Sequence, residues 1–180
     1  MTKAEQRRVA RALRRALTSA ERDANSAAVC QRLLTLPEVR AARCILSYRA
    51  LPDEVDLSAL ERDLDAVIAY PRCLGGGVME AYVPGGAFLT GSFGIEEPDP
   101  AVSRLIEPEA IDLVLAPCLG FDAARNRLGH GAGYYDRFLP RCKSAAVLAV
   151  AFEAQRLDSL VTEAHDRKMD AIVTEKTVYI

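Results

Sequence analysis

The sequence of 180 residues lacks an excess of either charge. Its formal net charge is −2, and 50% of its residues are hydrophobic. A balanced charge argues against bulk electrostatic binding to nucleic acid. No apolar run approaches the roughly 18 residues of a membrane-spanning helix, and the arginine-rich start lacks the apolar segment of a secretory signal. We therefore expect one cytoplasmic domain over residues 1–180, with no membrane partner and with its own core.

The five cysteines lack the C-x-x-C spacing that is typical of zinc sites. Their odd number also disfavours a complete set of disulfides, so we expect reduced thiols in a reducing compartment. Cys118 lies beside a glycine-rich segment, and His130 is the only histidine near it in the sequence. We interpret Cys118 as a small packed side chain rather than as a nucleophile.

That glycine-rich segment, residues 117–139, carries the strongest chemical pattern of the chain. It follows the apolar run 111–117, places glycine at 129, 131 and 133, and leads into a helix-like stretch. A strand, a glycine loop and a helix start together let backbone amides approach an anionic phosphate chain. The spacing matches neither the P-loop nor the dinucleotide-binding fingerprint, and a surface loop whose glycines only form turns is the alternative.

Two side chains strengthen the phosphate interpretation. Arg127 stands just before the glycines and can hold phosphate oxygens through its planar fork of donors. Asp136 follows them and offers a hard oxygen ligand suited to Mg²⁺, the usual companion of nucleotide phosphates. The segment therefore predicts a nucleotide-phosphate site.

The N-terminal residues 2–17 form an amphipathic pattern that predicts a helix. Lys3 and Arg7 are four residues apart, so they share one side of its first turns. We interpret most of the remaining basic residues of this helix as a solvated face. These residues are Arg8, Arg11, Arg14 and Arg15.

Helical and strand-like patterns alternate along the rest of the chain. This alternation predicts an α/β fold, a single-domain three-layer α/β/α arrangement with a mostly parallel, Rossmann-like open sheet. In such sheets ligands bind beyond the carboxyl ends of the strands. The predicted helices are 19–34, 56–65 and 134–142, and the predicted strands are 42–48, 66–70, 78–83, 111–116, 145–152 and 170–174, with a turn at 74–77.

Residues 117–139 resemble the signature of the 5-formyltetrahydrofolate cyclo-ligase family, which reads roughly P-x-x-x-F-D-x-x-G-x-R-L-G-x-G-x-G-Y-Y-D-R-x-L. Arg125 stands where the family usually has glycine, and Ala132 where it has glycine or lysine. His130 occupies a variable position. The matching residues are Pro117, Phe121, Asp122, Arg127, Leu128, Gly129, Gly131, Gly133, Tyr134, Tyr135, Asp136, Arg137 and Leu139.

The resemblance extends over nearly the whole chain. K3-AEQ-R7 is similar to the family's K-x-x-x-R element, and Glu54 stands where the family has a folate-contacting glutamate. G91-SFGIEEP98 is similar to a G-x-x-G-I-x-E-P stretch, in which we expect Phe93 and Ile95 to pack and Glu97 to be structural or a ligand contact. Asp166 matches an acidic position in the terminal H-D-x-x-x-D segment.

The resemblance implies ATP- and Mg²⁺-dependent closure of 5-formyltetrahydrofolate to 5,10-methenyltetrahydrofolate. It implies catalytic roles for Arg127 and Tyr134, Mg²⁺ ligands at Asp136 and Asp166, and folate contacts from Arg49, Glu54 and Tyr134. The implied ATP-binding residues are Lys3, Arg7, Arg127, Leu128, Gly129, His130, Gly131, Ala132, Gly133, Tyr134 and Tyr135.

Other functions remain compatible with the sequence. The same scaffold could activate a different amide with ATP, or bind folate or nucleotide without catalysis. A sugar-phosphate isomerase or an acyl-transfer relative with a similar sheet would rest on fold analogy alone. In the favoured hypothesis the partners are the small molecules 5-formyltetrahydrofolate and ATP, with no nucleic acid, and the protein is a monomer.

Overall fold

The computed structural model of the chain describes residues 1–91, 94–163 and 166–180. Phe93, which the sequence predicts to pack, lies outside these ranges, as does the histidine of the terminal H-D motif. The helices are α1 (Lys3–Ala16), α2 (Ser19–Thr35), α3 (Pro37–Ala41), α4 (Ser58–Asp63) and α5 (Tyr134–Phe138). In the described part of the chain, no helix is long and apolar enough to cross a bilayer.

Helices and strands alternate only in parts of the chain, because five strands between Val67 and Ile106 follow one another with no α-helix described between them. The strands are β1 (Cys44–Leu46), β2 (Val67–Gly75), β3 (Val78–Val83), β4 (Phe88–Thr90), β5 (Glu96–Pro98), β6 (Arg104–Ile106), β7 (Leu113–Pro117), β8 (Gly120–Phe121), β9 (Arg127–Leu128), β10 (Ala146–Val150), β11 (Ala171–Val173) and β12 (Val178–Tyr179).

An eight-stranded sheet organises these elements in the order β12-β11-β10-β7-β1-β2-β3-β6. The strands from β11 through β2 pair in parallel. Antiparallel strands complete both edges: β12 on one side, and β3 followed by β6 on the other. The mostly parallel sheet confirms the predicted fold class, and the carboxyl ends of its central strands form one edge at which a ligand site is expected.

Alternating side chains of the central strands form a separate core on each face of the sheet. Leu113 and Leu115 of β7 pack with Val29 and Leu33 of α2. Val114 and Ala116 of the same strand point the opposite way and pack in the cluster that contains Phe138 of α5. This period-two alternation places helices on both faces, which confirms the predicted three-layer arrangement.

Helix α1 lies apart from both faces and packs against the loops at the carboxyl edge of the sheet. Its Ala10 is fully buried against Leu119 and Leu157. Gly120 permits this approach, because a Cβ there would lie 2.9 Å from the Cβ of Ala10. Gln6 fastens the helix further through its amide, which donates to the Ser159 carbonyl at 2.8 Å and accepts from the Val161 N–H at 3.0 Å.

Several predicted boundaries differ from the structure. The predicted helix 134–142 ends as an α-helix at Phe138 and continues as a 3-10 turn over Leu139–Arg141. Pro140 causes the change, because it lacks an N–H and cannot continue an α-helical ladder. Strand β2 extends through Pro71 to Gly75, beyond the predicted end at Tyr70. The short helix α3 was not predicted; it begins at Pro37, because proline is well tolerated in a first helical turn.

Candidate functional site

All fifteen residues that the sequence analysis assigns to ATP, folate or metal line one cavity of about 690 Å³. Its volume falls within the range of small-molecule sites, roughly 300–1,000 Å³. The cavity lies beyond the carboxyl ends of β1 and β7, because Tyr48 follows β1 and Pro117 ends β7. The fold thus brings together residues from the first helix, the middle of the chain and its C-terminal region.

A hairpin of β8 and β9 delivers the glycine loop to this cavity. Asp122 organises its turn: one carboxylate oxygen accepts from the Ala124 N–H at 3.0 Å and from the Asn126 N–H at 3.1 Å. Arg125 adopts a left-handed conformation with φ of 67°. Glycine takes this conformation without strain, which is why arginine in the family's glycine position costs on the order of 1 kcal/mol here.

The loop itself needs glycine at two positions with left-handed backbone. Gly131 has φ of 106° and Gly133 has φ of 72°. Gly133 precedes α5, whose five residues make it too short to contribute a large helix dipole. The predicted helix-start contribution to phosphate binding is therefore small, and the side chains and loop amides around the cavity must supply most of the attraction for an anion.

Two cationic side chains near the glycine loop, those of Lys3 and Arg127, are paired with acidic side chains. The Lys3 ammonium donates to Asp166 at 2.7 Å and lies 3.1 Å from Glu163. Arg127 donates to the Pro117 carbonyl at 3.0 Å and to Asp136 at 3.2 Å. Partial burial would lower the pKa of Lys3, but the hydrogen bonds to its acidic partners raise it overall.

Arg7 and Tyr135 complete the surroundings of the loop. The Arg7 Nε donates to the Gly129 carbonyl at 3.1 Å, so α1 is tied directly to the glycine loop. The Arg127 guanidinium lies 5.2 Å from the centre of the Tyr135 ring, within cation–π distance. Burial raises the pKa of Tyr135, and its hydroxyl has no hydrogen-bond partner among the described residues.

Glu54 forms a second polar centre in the wall of the cavity. It is buried, and its Oε1 accepts from the Arg14 guanidinium at 3.0 Å and contacts the His130 Nε2 at 2.9 Å. Its Oε2 accepts from the Leu51 N–H at 3.0 Å. Burial would raise the pKa of Glu54, but these hydrogen bonds and the nearby positive charge lower it overall.

Arg14 shows where the sequence interpretation was wrong. The sequence analysis assigns it to a solvated basic face, but its side chain is only 3% exposed and bridges Asp53 and Glu54. Helix α1 carries several arginines on neighbouring positions, and their spacing alone does not show which of them is buried. The acidic partners that bury it come from a loop about forty residues away, which no local pattern could reveal.

Arg49 and Tyr134, which the resemblance assigns to the folate, line the same cavity. The Arg49 guanidinium donates to Glu96 at 2.8 Å and lies 5.1 Å from the centre of the Phe88 ring. Tyr134 interacts with Cys73, and burial together with the Cys73 and Glu97 side chains raises the pKa of its hydroxyl. These contacts continue the polar lining from the glycine loop to β2 and β5.

Cys118 is a packed side chain in this arrangement. All five cysteines are free thiols. Burial raises the pKa of Cys118 to about 12, and its thiol donates to the Gly120 carbonyl at 2.9 Å. A protonated, hydrogen-bonded thiol is a poor nucleophile, which agrees with the interpretation of Cys118 as a packed side chain.

The two predicted metal ligands fit Mg²⁺ by donor type. Asp136 and Asp166 both line the cavity and present carboxylate oxygens. Within the described ranges, no cluster of three or more His, Cys, Asp or Glu residues could hold a metal alone. Mg²⁺ often binds through one or two carboxylates together with substrate phosphates and water, so two acids beside a phosphate loop are sufficient.

Comparison with known proteins agrees with the resemblance read from the sequence. The family model described as the 5-formyltetrahydrofolate cyclo-ligase family matches residues 1–175. A 5-formyltetrahydrofolate cyclo-ligase of Haemophilus influenzae is 28% identical, with 87% of this chain and 88% of the relative covered. A probable 5-formyltetrahydrofolate cyclo-ligase of Schizosaccharomyces pombe is 26% identical, with 87% and 86% covered.

Solved structures show the same fold. The NMR structure of Aquifex aeolicus 5,10-methenyltetrahydrofolate synthetase is 32% identical and superposes with a TM-score of 0.86, covering 99% of this chain and 92% of that one. A Mycoplasma pneumoniae 5,10-methenyltetrahydrofolate synthetase, 23% identical with a TM-score of 0.78, shares the fold over 97% of this chain and 99% of its own. With the family model matched from residue 1 to residue 175, the chain belongs to the 5-formyltetrahydrofolate cyclo-ligase family.

Proposed function

We propose that this protein converts 5-formyltetrahydrofolate to 5,10-methenyltetrahydrofolate with consumption of ATP and release of ADP and phosphate. One observation carries the proposal: the glycine loop and Glu54 open into the same cavity. Transfer of a phosphoryl group between two bound substrates requires both to be held side by side, and such placement accounts for a large part of catalysis. Family membership supplies the identity of the two substrates.

The proposed reaction uses nucleophiles of the substrate. The formyl oxygen attacks the γ-phosphorus of ATP and ADP leaves, which converts a poor leaving group into a phosphate ester. The N10 nitrogen then attacks the formyl carbon and loses its proton, and expulsion of phosphate produces the methenyl bridge. No covalent enzyme intermediate is needed, so the protein acts by placement and charge stabilisation.

The residues of the nucleotide end would hold the triphosphate. Lys3, Arg7 and Arg127 supply positive charge, and residues 128–133 with Tyr135 supply loop amides and walls. Arg127 and Tyr134 are the proposed catalytic residues, because they border both the phosphate loop and the rest of the cavity. An arginine aimed at a transferring phosphoryl group typically stabilises the charge that develops in the transition state.

Asp136 and Asp166 would hold Mg²⁺, which when bound neutralises phosphate charge and orients the γ-phosphoryl group. Each of these acids is paired with a cation in the structure, Asp136 with Arg127 and Asp166 with Lys3. Binding of the nucleotide with its metal would let both pairs exchange partners: the cations turn to phosphate oxygens, and the acids turn to the metal. Each cation and each acid of these pairs would thus keep a partner of opposite charge after binding.

Glu54, Arg49 and Tyr134 would line the folate side. The pterin ring carries N–H donors, and a carboxylate accepts such donors well. His130 adds a link between the two ends, because it belongs to the glycine loop and its ring contacts Glu54. The cavity therefore offers anion-binding groups around the glycine loop and a hydrogen-bond acceptor at Glu54.

The decisive experiment follows methenyl product by its absorbance. Purified protein is mixed with 5-formyltetrahydrofolate, ATP and Mg²⁺, with ATP or Mg²⁺ omitted in parallel. We expect product only in the complete mixture, with ADP in equal amount. ATP consumption that requires a different amide, without methenyl product, would instead support an activating enzyme on the same scaffold, and binding of both ligands without any turnover would support a binding module.

A further inference from the structure

Glu97 is a buried carboxylate for which the sequence leaves two roles open, a structural one and a ligand contact. It lies in β5, is only 4% exposed, and lines the same cavity as the glycine loop and Glu54. Strand β5 pairs with β4, and Glu97 stands opposite Leu89 in that pairing. A buried acid at the wall of a substrate cavity needs compensating hydrogen bonds, because an unsatisfied buried polar group costs about 1–3 kcal/mol or more.

Its surroundings supply little compensation. The Oε2 of Glu97 lies 3.9 Å from the Arg72 guanidinium, beyond hydrogen-bond distance. The Cys73 thiol is its other polar neighbour, and the carboxylate helps to raise the pKa of that thiol to about 11, although desolvation is the larger cause. Within the described ranges, no backbone N–H or hydroxyl donates to Glu97, and its hydrogen-bonding neighbour is the Cys73 thiol.

Glu54 provides the contrast within the same cavity. Its two oxygens contact three groups of the protein: Arg14, His130 and the Leu51 N–H. An ionised carboxylate has about four acceptor positions, so these three contacts leave Glu54 about one position for a ligand. Glu97 retains most of its capacity and is equally buried.

The fold also reserves space for the Glu97 side chain. A methyl group at Gly91 would overlap the Glu97 carboxyl group, so the side chain lies directly over this glycine. Gly91 has no left-handed backbone angle that would itself demand glycine. Because residue 91 has no side chain, it leaves room for the Glu97 carboxylate.

Glu97 also lies close to where the chemistry is proposed. Its charge contributes to the raised pKa of Tyr134, the residue that follows the glycine loop directly. Tyr134 in turn interacts with Cys73, which is next to Glu97. A substrate group bound at Glu97 would thus lie near Tyr134, which directly follows the phosphate loop.

We infer that Glu97 is a second substrate-recognition carboxylate, which accepts hydrogen bonds from the N–H donors of the substrate's reduced pterin ring. This inference rests on the proposed function for the identity of the substrate. It assigns Glu97 a direct contact with the ring, and it assigns Gly91 a positioning role that acts through Glu97. Glu54, held by Arg14 and His130, then borders the same substrate from another wall.

The test compares Glu97→Gln with the wild-type protein. The substitution keeps the shape of the side chain, but it replaces an acceptor oxygen with a donor that faces the donors of the ring. We expect the dissociation constant of 5-formyltetrahydrofolate, measured by calorimetry without nucleotide, to rise tenfold or more. We expect the dissociation constant of ATP to stay within twofold of the wild-type value.

Glu80→Gln is the matched control. Glu80 is a partly buried acid of the neighbouring β3 that is paired with Arg141 at 3.1 Å, and it does not line the cavity. It should leave the affinities for both ligands unchanged. Gly91→Ala keeps the carboxylate but displaces it, and should weaken folate binding in the same direction as Glu97→Gln.

The outcomes separate this inference from the proposed function. Wild-type protein that gives no methenyl product would defeat the proposed function. Wild-type protein that turns over, together with a folded Glu97→Gln variant of unchanged folate affinity, would defeat the inference alone. Should Glu97→Gln fail to fold, as judged by circular dichroism, folate binding by Gly91→Ala decides in its place, since unchanged affinity there would equally contradict the assignment.

Discussion

The two ends of the cavity are built from the same chain in different ways. Most of the nucleotide end comes from one contiguous segment, 127–136, joined by Lys3 and Arg7 of the first helix. The folate end is assembled from separate pieces that contribute Arg49, Glu54 and, by our inference, Glu97. A contiguous loop can be recognised from its own sequence, whereas an assembled wall depends on how distant strands pair.

The charges at the two ends also differ. At the nucleotide end, each pair has at least one partly exposed member: Asp136 is 40% exposed beside the buried Arg127, and Lys3 and Asp166 are 19% and 22% exposed. At the folate end, the Arg14–Glu54 pair is buried, with side-chain exposures of 3% and 6%. Exposed pairs exchange partners at little cost, whereas breaking a buried pair costs about 3–5 kcal/mol. The pairs at the nucleotide end therefore suit a site that binds charged ligands. The buried Arg14–Glu54 pair instead forms a rigid wall of the cavity.

The largest effect should come from removing charge stabilisation at the nucleotide end. We expect Arg127→Ala to lower kcat by about 10²–10³-fold, the usual loss for one group that stabilises transition-state charge. The KM for folate should change much less. Steady-state kinetics with each substrate varied would measure both, and Arg8→Ala, which changes an exposed arginine of α1, is the control. Normal turnover by Arg127→Ala would show that its proposed role is wrong.

The folate end should respond through binding. We expect Glu54→Gln to raise the KM for 5-formyltetrahydrofolate by roughly tenfold or more, since hydrogen bonds to charged groups contribute about 1.5–3 kcal/mol. The KM for ATP should change little. Asp53→Asn removes the other acidic partner of Arg14 and leaves Glu54 intact, so it tests whether the effect arises only from a displaced arginine. Equal rises in both KM values would argue against a folate contact at Glu54.

The two ends should also lose stability at opposite extremes of pH. The pKa of Glu54 is lowered in the folded protein, so its contribution is present above about pH 4.5, the ordinary glutamate value, and is lost as pH falls through its folded value. Wild-type stability should therefore fall more steeply with acid than that of Glu54→Gln, by up to about 1.4 kcal/mol per pH unit. Denaturant unfolding at several acidic pH values measures this slope, and parallel slopes would contradict the prediction.

Lys3 gives the complementary behaviour. Its pKa is raised above 10.5, so its contribution is present below that pH and is lost as pH rises through its folded value. Unfolding curves in alkaline buffer should show a shallower loss for Lys3→Gln than for the wild type. Because the Lys3 side chain is more exposed than that of Glu54, at 19% against 6%, we expect this difference to be smaller than the one at Glu54.

The smallest effect compares two helix caps. Thr2 and Thr18 form the same capping box at the starts of α1 and α2, each accepting from a backbone N–H at 3.2 Å. Thr2→Ala and Thr18→Ala should each lower the free energy of unfolding by about 1 kcal/mol. Only Thr2→Ala should also raise the KM for ATP, because α1 carries Lys3 and Arg7. If the two variants had the same KM for ATP, the position of α1 would not contribute to ATP binding.

The sequence predicted the buried central strands well and the short strands at the edges of the sheet poorly. Continuous apolar runs mark buried parallel strands, so β7 and β10 were placed to within about two residues at each end. The prediction missed β6 and β12, because short edge strands have no continuous apolar pattern. The same limit applies to the β8–β9 hairpin, which has two residues in each strand.

By itself the sequence determined the glycine loop, because the loop's function depends on backbone freedom and on side chains that are neighbours along the chain. It also determined the alternation of buried strands and helices, which follows from local hydrophobic periodicity. Only the tertiary structure decided that Arg14 is buried against Glu54 and that Glu97 reaches the cavity. Burial and electrostatic pairing depend on distances between segments far apart in sequence, and those distances exist only once the sheet has formed.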